Sequence, residues 1–304
     1  MNYRHAYHAG NFADVLKHVV LHALVESLQA KPSAFCYIDT HAGRGHYPLD
    51  GTEARKTGEH LDGISRLHPA EKMPALLKRW HAGILAGEGN ERGLAVYPGS
   101  PLQVARLLRP QDSAQLCELH ETEAAALRQL FRANPQVHVH QRDGYEALKA
   151  LLPPKEKRGL VLIDPPYEAQ DDEYRLIEQA LKNALQRWPG GIYAVWYPIK
   201  LRRQVQPFLR KLQHSGAKRV LRAELLVHPD DSPLRLNGSG MVIVNAPWNL
   251  DDVLREPLRV LADLLAQGHP AEVKLDWLLD EAGSQLNTPS PLPASRLSRP
   301  PGRR

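Results

Sequence analysis

Apolar residues recur at helical spacing early in the chain: Val15, Leu16, Val19, Val20, Ala23, Leu24 and Leu28. One face of a helix repeats this way, so the pattern predicts a first helix opening near residue 11. Asn11 is an N-cap type and Asp14 supplies an acid in the first turn. The period then shortens. Residues 35–39, Phe-Cys-Tyr-Ile-Asp, form an apolar run of strand length. From residue 114 onward strands alternate with helices. Strands are expected over 114–119, 137–143, 160–164 and 192–197, and helices over 122–133, 145–152, 172–186 and 201–213. Strands separated by helices form βαβ units, so an α/β fold with a mostly parallel sheet follows. Two runs, 219–227 and 240–245, are divided only by a polar loop, which predicts an antiparallel pair at one edge. A helix over 251–265 follows, and the alternation of Val273, Leu275, Trp277 and Leu279 predicts a last strand.

Residues 47–94 break this rhythm. Leu61 and Ile64 predict one short helix, and Leu76, Leu77, Trp80 and Ile84 another. The segment reads as a small helical subdomain inserted in a main domain of residues 1–46 and 95–282. Ser100-Pro101 then pairs a capping residue with a proline suited to the first helical position, so a helix should start at Pro101. Residues 283–304 are rich in Pro and Ser, end in basic residues, and are expected to be a disordered tail.

Composition narrows the class. Of 304 residues 42% are hydrophobic, enough for a sizeable core. The formal net charge of +5 suits a polyanionic partner without requiring one. Two cysteines, Cys36 and Cys117, each lie in an apolar strand-like run; this is no disulfide framework and points to a reducing compartment. The His-rich first residues lack the apolar stretch of a signal peptide, and no apolar run is long enough to span a bilayer. The expectation is a cytoplasmic protein without a membrane partner. His18 and His22 lie one helical turn apart, but no Cys pair or Glu joins them at ligand spacing, so no metal is expected.

The chemistry gathers where predicted strands end. Asp164-Pro165-Pro166-Tyr167 follows an apolar strand, at the end of an open sheet where ligands bind. The loop suits methyl transfer to the N6 amine of adenine, whose lone pair is delocalised into the ring. An acceptor that holds the amine as it pyramidalises makes it a better nucleophile. Asp164 can accept one N–H and the Pro165 carbonyl another, while the prolines stiffen the loop. Tyr167 offers an aromatic face for the base, which must be unpaired or flipped out. Asp39-Thr40-His41-Ala42-Gly43-Arg44-Gly45 follows the first strand with glycines that allow close backbone approach. It is not the G-x-G-x-x-G spacing of dinucleotide folds. Glu118, ending the next strand, can accept from ribose hydroxyls, and Asp143-Gly144 can meet an adenine amine. Taken singly, each of these could be a turn, a cap or a surface acid. Basic residues from Lys155 to Arg158 and from Arg202 to Arg222 are candidates for phosphate contacts, several of them at the sheet's ligand edge.

Several linked motifs resemble the RlmJ family of adenine-N6 methyltransferases of 23S ribosomal RNA. They are Tyr3-Arg4-His5, His8-Ala9-Gly10-Asn11, Asp14-Val15-Leu16-Lys17-His18, Asp39-Thr40-His41-Ala42-Gly43, Tyr97-Pro98-Gly99-Ser100-Pro101, Asp164-Pro165-Pro166-Tyr167 and Trp196-Tyr197-Pro198. The resemblance covers residues 1–280 and leaves out the tail. It implies a Rossmann-like class I S-adenosylmethionine-dependent methyltransferase, with the cofactor held by His18, His41, Ser100, Glu118, Asp143 and Gly144 and adjoined by Asp164. It implies Asp164 as catalytic acceptor, with Tyr3, His5 and Lys17 near the target base. The implied substrate is ribosomal RNA before full subunit assembly. A DNA adenine-N6 methyltransferase would need a larger base-reading module than residues 47–94 offer. A protein glutamine methyltransferase would carry Asn in place of Asp164. A non-catalytic RNA-binding assembly factor would have had no reason to keep the site intact.

Overall fold

The computed structural model describes residues 4–67, 72–168, 170–233, 236–282 and 284. Tyr3 and all of the expected tail except Ser284 lie outside the described residues.

The capping pattern at the start of the chain acts as it reads. Asn11 Oδ1 accepts from the Asp14 backbone N–H at 2.9 Å and opens α1 (Phe12–Gln29). An eight-stranded sheet forms behind it from β1 (Cys36–Asp39), β4 (Ser113–Glu118), β5 (Val137–Gln141), β6 (Gly159–Ile163), β7 (Ile192–Ile199), β8 (Val220–Leu226), β9 (Gly238–Val244) and β10 (Glu272–Leu279), in the order β10-β8-β9-β7-β6-β1-β4-β5. The five strands from β7 to β5 are parallel, and β9 and β10 run against their neighbours. The order reverses between β1 and β6, whose carboxyl ends flank the crevice where such sheets take ligands. Every residue of β6 is buried, which at roughly 1.5–3 kcal/mol per large apolar side chain makes it the sheet's anchor.

Side chains alternate between two cores, as the period of a strand requires. Phe35 and Tyr37 join one core with α1, α3 (Ala75–Leu85), α4 (Ser100–Ala105), α5 (Glu121–Phe131) and α9 (Leu250–Leu265). Cys36 and Ile38 join the other with α6 (Gly144–Leu151), α7 (Gln170–Arg187) and α8 (Arg202–Gln213). A short ribbon, β2 (His46–Pro48) against β3 (Val96–Pro98), closes the excursion between β1 and α4. Within that excursion Leu76, Leu77, Trp80 and Ile84 form a helix face, which packs into the same core as α1.

Two readings of the sequence are corrected. Leu61 and Ile64 do not share a helix. They lie in two 3-10 turns, Glu59–Asp62 and Ile64–Arg66, with Leu61 61% exposed. Gly63 separates the turns and presses so close to the Gly10 carbonyl that an added Cβ would lie 2.1 Å from it. The helix α2 (Thr52–Thr57), too short to show an apolar period, precedes them. The expected antiparallel pair forms, as β8 with β9, in the antiparallel end of the sheet, where β10 is added outside β8. Ser100 is not the cap of α4 but its first residue, because its hydroxyl is drawn to Asp39 instead.

Candidate active site

Every residue expected at the site, Tyr3 excepted, lines one cleft of about 1060 Å³ at the carboxyl ends of the parallel strands: His5, Lys17, His18, His41, Ser100, Glu118, Asp143, Gly144, Asp164, Pro165 and Tyr167. They come from segments far apart in sequence, brought together by the sheet order.

The β1 turn is built around Asp39, which is fully buried. Its carboxylate accepts from the Tyr37 and Ser100 hydroxyls, each at 2.7 Å, and from the His41 N–H at 3.2 Å. Burial pushes this carboxyl up to about 6, against the pull of those donors. Asp39 thereby ties the Ser100 stretch to the turn that carries His41, whose ring packs edge-on to Tyr145 at 5.1 Å. Burial holds the His41 imidazole down to about 4, so it is neutral near neutral pH. His18 is 1% exposed and shares a 2.6 Å hydrogen bond with the Tyr97 hydroxyl through Nδ1.

Glu118 ends β4 with one backbone donor on each oxygen, Gly43 N–H to Oε2 at 2.8 Å and His120 N–H to Oε1 at 2.7 Å. These bonds fix the carboxylate plane and leave lone pairs for further donors. They also occupy the Gly43 N–H, which a phosphate-cradling loop would need free. Asp143 caps α6, accepting from the Glu146 N–H at 2.9 Å. Gly144 touches the β1 turn directly: a Cβ there would lie 2.0 Å from the Thr40 carbonyl oxygen.

On the other side of the crevice, Lys17 Nζ meets Asp164 Oδ2 at 2.5 Å and Asp14 Oδ1 at 2.8 Å. Burial alone would lower the lysine's pKa, but Asp14 and Asp164 outweigh it and keep the ammonium charged. Lys17 Nζ also stands 5.8 Å from the centre of the Trp196 ring. With Oδ2 engaged, the Oδ1 of Asp164 is the oxygen available to a ligand's donor. Tyr167 holds a left-handed backbone, φ 51°, and donates its hydroxyl to the Trp196 carbonyl at 2.7 Å. The ring expected to meet a base is only 5% exposed, held edge-on by Tyr174 and Trp196.

The expected basic border is largely elsewhere. Arg222 is buried in a two-pronged pair with Asp276, at 2.8 Å on both prongs. Arg158 binds the Leu28 and Ser33 carbonyls at the amino end of β6, opposite the cleft. Lys200, which does line the cleft, lies two residues before the basic stretch that the sequence singled out from Arg202. Trp196 of the Trp196-Tyr197-Pro198 motif lines the cleft as well, and so, unforeseen, do Tyr145 and Glu173, the Tyr145 hydroxyl donating to Glu173 at 2.7 Å. The only sequence signal for Tyr145 was its position after Gly144.

Among the described residues no cluster of three or more His, Cys, Asp or Glu is arranged to hold a metal, and no helix is long and apolar enough to cross a membrane. Over residues 32–279 the sequence matches the family described as RsmJ: Ribosomal RNA large subunit methyltransferase D, RlmJ. It is 40% identical to Ribosomal RNA large subunit methyltransferase J of Escherichia coli (strain K12) and 41% identical to that of Haemophilus influenzae. Each match runs over 281 residues, 92% of this chain and 100% of the relative. A crystal structure of a protein from Legionella pneumophila superposes with a TM-score of 0.80 at 37% identity, covering 89% of this chain and 98% of that one. With the family match spanning most of the sequence and relatives at this identity aligned along their whole length, the chain belongs to the RlmJ family of ribosomal RNA large-subunit methyltransferases.

Proposed function

We propose that the protein transfers the methyl group of S-adenosylmethionine to the N6 amine of an adenine in 23S ribosomal RNA, acting in the cytoplasm before the subunit is fully assembled. The observation that carries this reading is the Asp164 carboxylate, pinned by Lys17 through one oxygen and facing the same cleft as Glu118, Asp143 and Gly144.

The residues present fit the cofactor. Glu118, fixed by two backbone donors, suits a ribose diol, and a loop whose Gly43 N–H is already taken suits an adenosyl group without phosphates. His18, His41, Ser100, Asp143 and Gly144 would complete its walls, with Asp164 adjoining. When bound, S-adenosylmethionine supplies a methyl group made electrophilic by a positive sulfonium. The chain's own task is orientation. Asp164 and the Pro165 carbonyl accept hydrogen bonds from the two amine N–H groups and raise the nucleophilicity of N6, which gives up one of those protons once the methyl is bonded. Lys17 fixes the carboxylate so that Oδ1 is the accepting oxygen. His5 borders the base, a role the family resemblance extends to Tyr3, and Tyr167 is a wall braced from behind by Trp196. We treat residues 47–94 as an inserted subdomain on a methyltransferase domain of residues 1–46 and 95–282, since the β2–β3 ribbon closes its root.

The test is transfer of labelled methyl to unmodified 23S RNA, assembled subunits and duplex DNA, with nucleoside analysis. Label in N6-methyladenosine from free RNA supports the reading, and label confined to DNA or to the assembled particle overturns its substrate. Asp164→Ala should abolish transfer while S-adenosylmethionine still binds; near-normal turnover would defeat the mechanism.

A further inference from the structure

Asp14 takes no part in the transfer step, yet it is 3% exposed and both its oxygens are engaged. Oδ1 accepts from Lys17 Nζ at 2.8 Å, and Oδ2 accepts from the Gly10 N–H and lies against His5 Nε2, each at 2.9 Å. Asn11 already caps the helix, and the bond from Gly10 accounts for only one of the Asp14 oxygens. Lys17 does not need a second counter-ion for neutrality, since Asp164 supplies one at 2.5 Å. Two carboxylates thus share one buried ammonium, with His5 against the second of them, an arrangement that is costly to bury unless it has a use.

We propose that Asp14 is a positioning residue for the transfer reaction, linking the N-terminal segment that borders the target base to the Lys17–Asp164 pair; this rests on the methyltransferase reading above. Its first effect is geometric. Held from both sides, the Lys17 ammonium cannot swing, and the Asp164 oxygen it grips stays in place. Its second effect is electrostatic. As the N6–methyl bond forms, positive charge grows on the amine beside Asp164, and an ammonium shared with Asp14 cancels less of the Asp164 charge than one held by Asp164 alone. Through Oδ2 the same carboxylate seats His5, so the segment over the base and the acceptor beneath it are set by one group.

The experiment compares the native protein with Asp14→Asn and Asp14→Glu. It measures S-adenosylmethionine affinity, melting midpoint, and kcat and KM on a 23S RNA fragment. Asp14→Asn keeps the shape and removes the charge. Its kcat should fall about 10- to 100-fold with cofactor affinity within about twofold of native. Asp14→Glu, which restores the charge at a shifted position, should recover part of the lost kcat. Turnover within about twofold of native in Asp14→Asn overturns the proposal. So does a cofactor affinity that falls in step with kcat, or a Glu variant no better than the Asn one. If Asp14→Asn does not fold, Asp14→Ser carries the same comparison. Failure of the native protein to methylate the RNA while binding cofactor would remove the methyltransferase reading itself, and this proposal with it.

Discussion

Gly144 is the tightest joint in the proposed cofactor site, and Gly144→Ala is the perturbation that tests it. The added methyl would lie 2.0 Å from the Thr40 carbonyl oxygen and 2.7 Å from the Thr40 carbonyl carbon and Cβ. None of these atoms is the end of a flexible side chain, so relief requires the start of α6 and the β1 turn to separate by about 1 Å. Overpacking of this kind costs about 1–3 kcal/mol of stability. The larger effect should fall on the ligand. The two segments forced apart carry Asp143 on one side and His41 on the other, and a binding constellation tolerates only about 0.5 Å of displacement. Loss of well-formed contacts to one end of the cofactor should weaken its binding about 10- to 100-fold. Titration calorimetry with S-adenosylmethionine measures this directly, and urea unfolding measures the stability cost. Gly190→Ala is the control, because nothing lies within 4 Å of a Cβ there. If Gly144→Ala binds cofactor as tightly as the control, the close approach of α6 to the β1 turn does not shape the site and the reasoning fails.

Other outcomes are as definite. Burial raises the Asp39 carboxyl to about 6, so the native state holds its proton more tightly than the unfolded chain does. Its stabilising contribution is therefore full below about pH 4 and lost as pH rises through 6, on the order of 3 kcal/mol by pH 7. Urea unfolding should show the native protein losing stability relative to Asp39→Asn over that window; a constant difference would contradict the assignment. The His41 imidazole, lowered to about 4 by burial, should show no titration near pH 6.5 by NMR, and a midpoint there would mean that it is solvated. Arg222→Met leaves the buried Asp276 and Glu224 without their guanidinium and should cost about 3–5 kcal/mol without changing cofactor affinity. Equal stability of the two proteins would show that the pair contributes nothing net. Gly83→Ala, on the exposed side of α3 with open space around it, should stabilise by about 0.5–1 kcal/mol in the same assay, and a loss would refute the open-space reading.

The parts of this fold legible in the sequence are those governed by short-range periodicity. The stripe from Val15 to Leu28, the apolar run of β6 and the alternation of β10 each declare an element, and the elements in order declare the sheet. What was hidden depends on contacts over long separations. Lys17 and Asp164 are 147 residues apart, and nothing local marks them as partners. Asp14 looked like a helix-capping acid because three residues from Asn11 is where such an acid belongs. Its second task becomes visible only when β6 brings Asp164 alongside. Arg222 looked like part of a basic border because a sequence does not reveal which face of a strand meets Asp276. Leu61 and Ile64 failed as a helix because of the Gly63 approach to Gly10, again a contact between distant parts of the chain.

The β2–β3 ribbon has a consequence for how freely this architecture can be rebuilt. Because the two strands pair residue for residue, the chain leaves the main body at His46 and returns at Pro98 a single strand spacing away, about 4.8 Å. To the large sheet, everything between those residues is one loop. The entropy of closing a loop rises only with the logarithm of its length, about 0.6 kcal/mol per doubling. An excursion of very different length, down to a tight turn, is therefore compatible with the strand order around it. The real constraint is coverage rather than length. Leu76, Leu77 and Trp80 shield the face of α1, and any replacement must cover that face again.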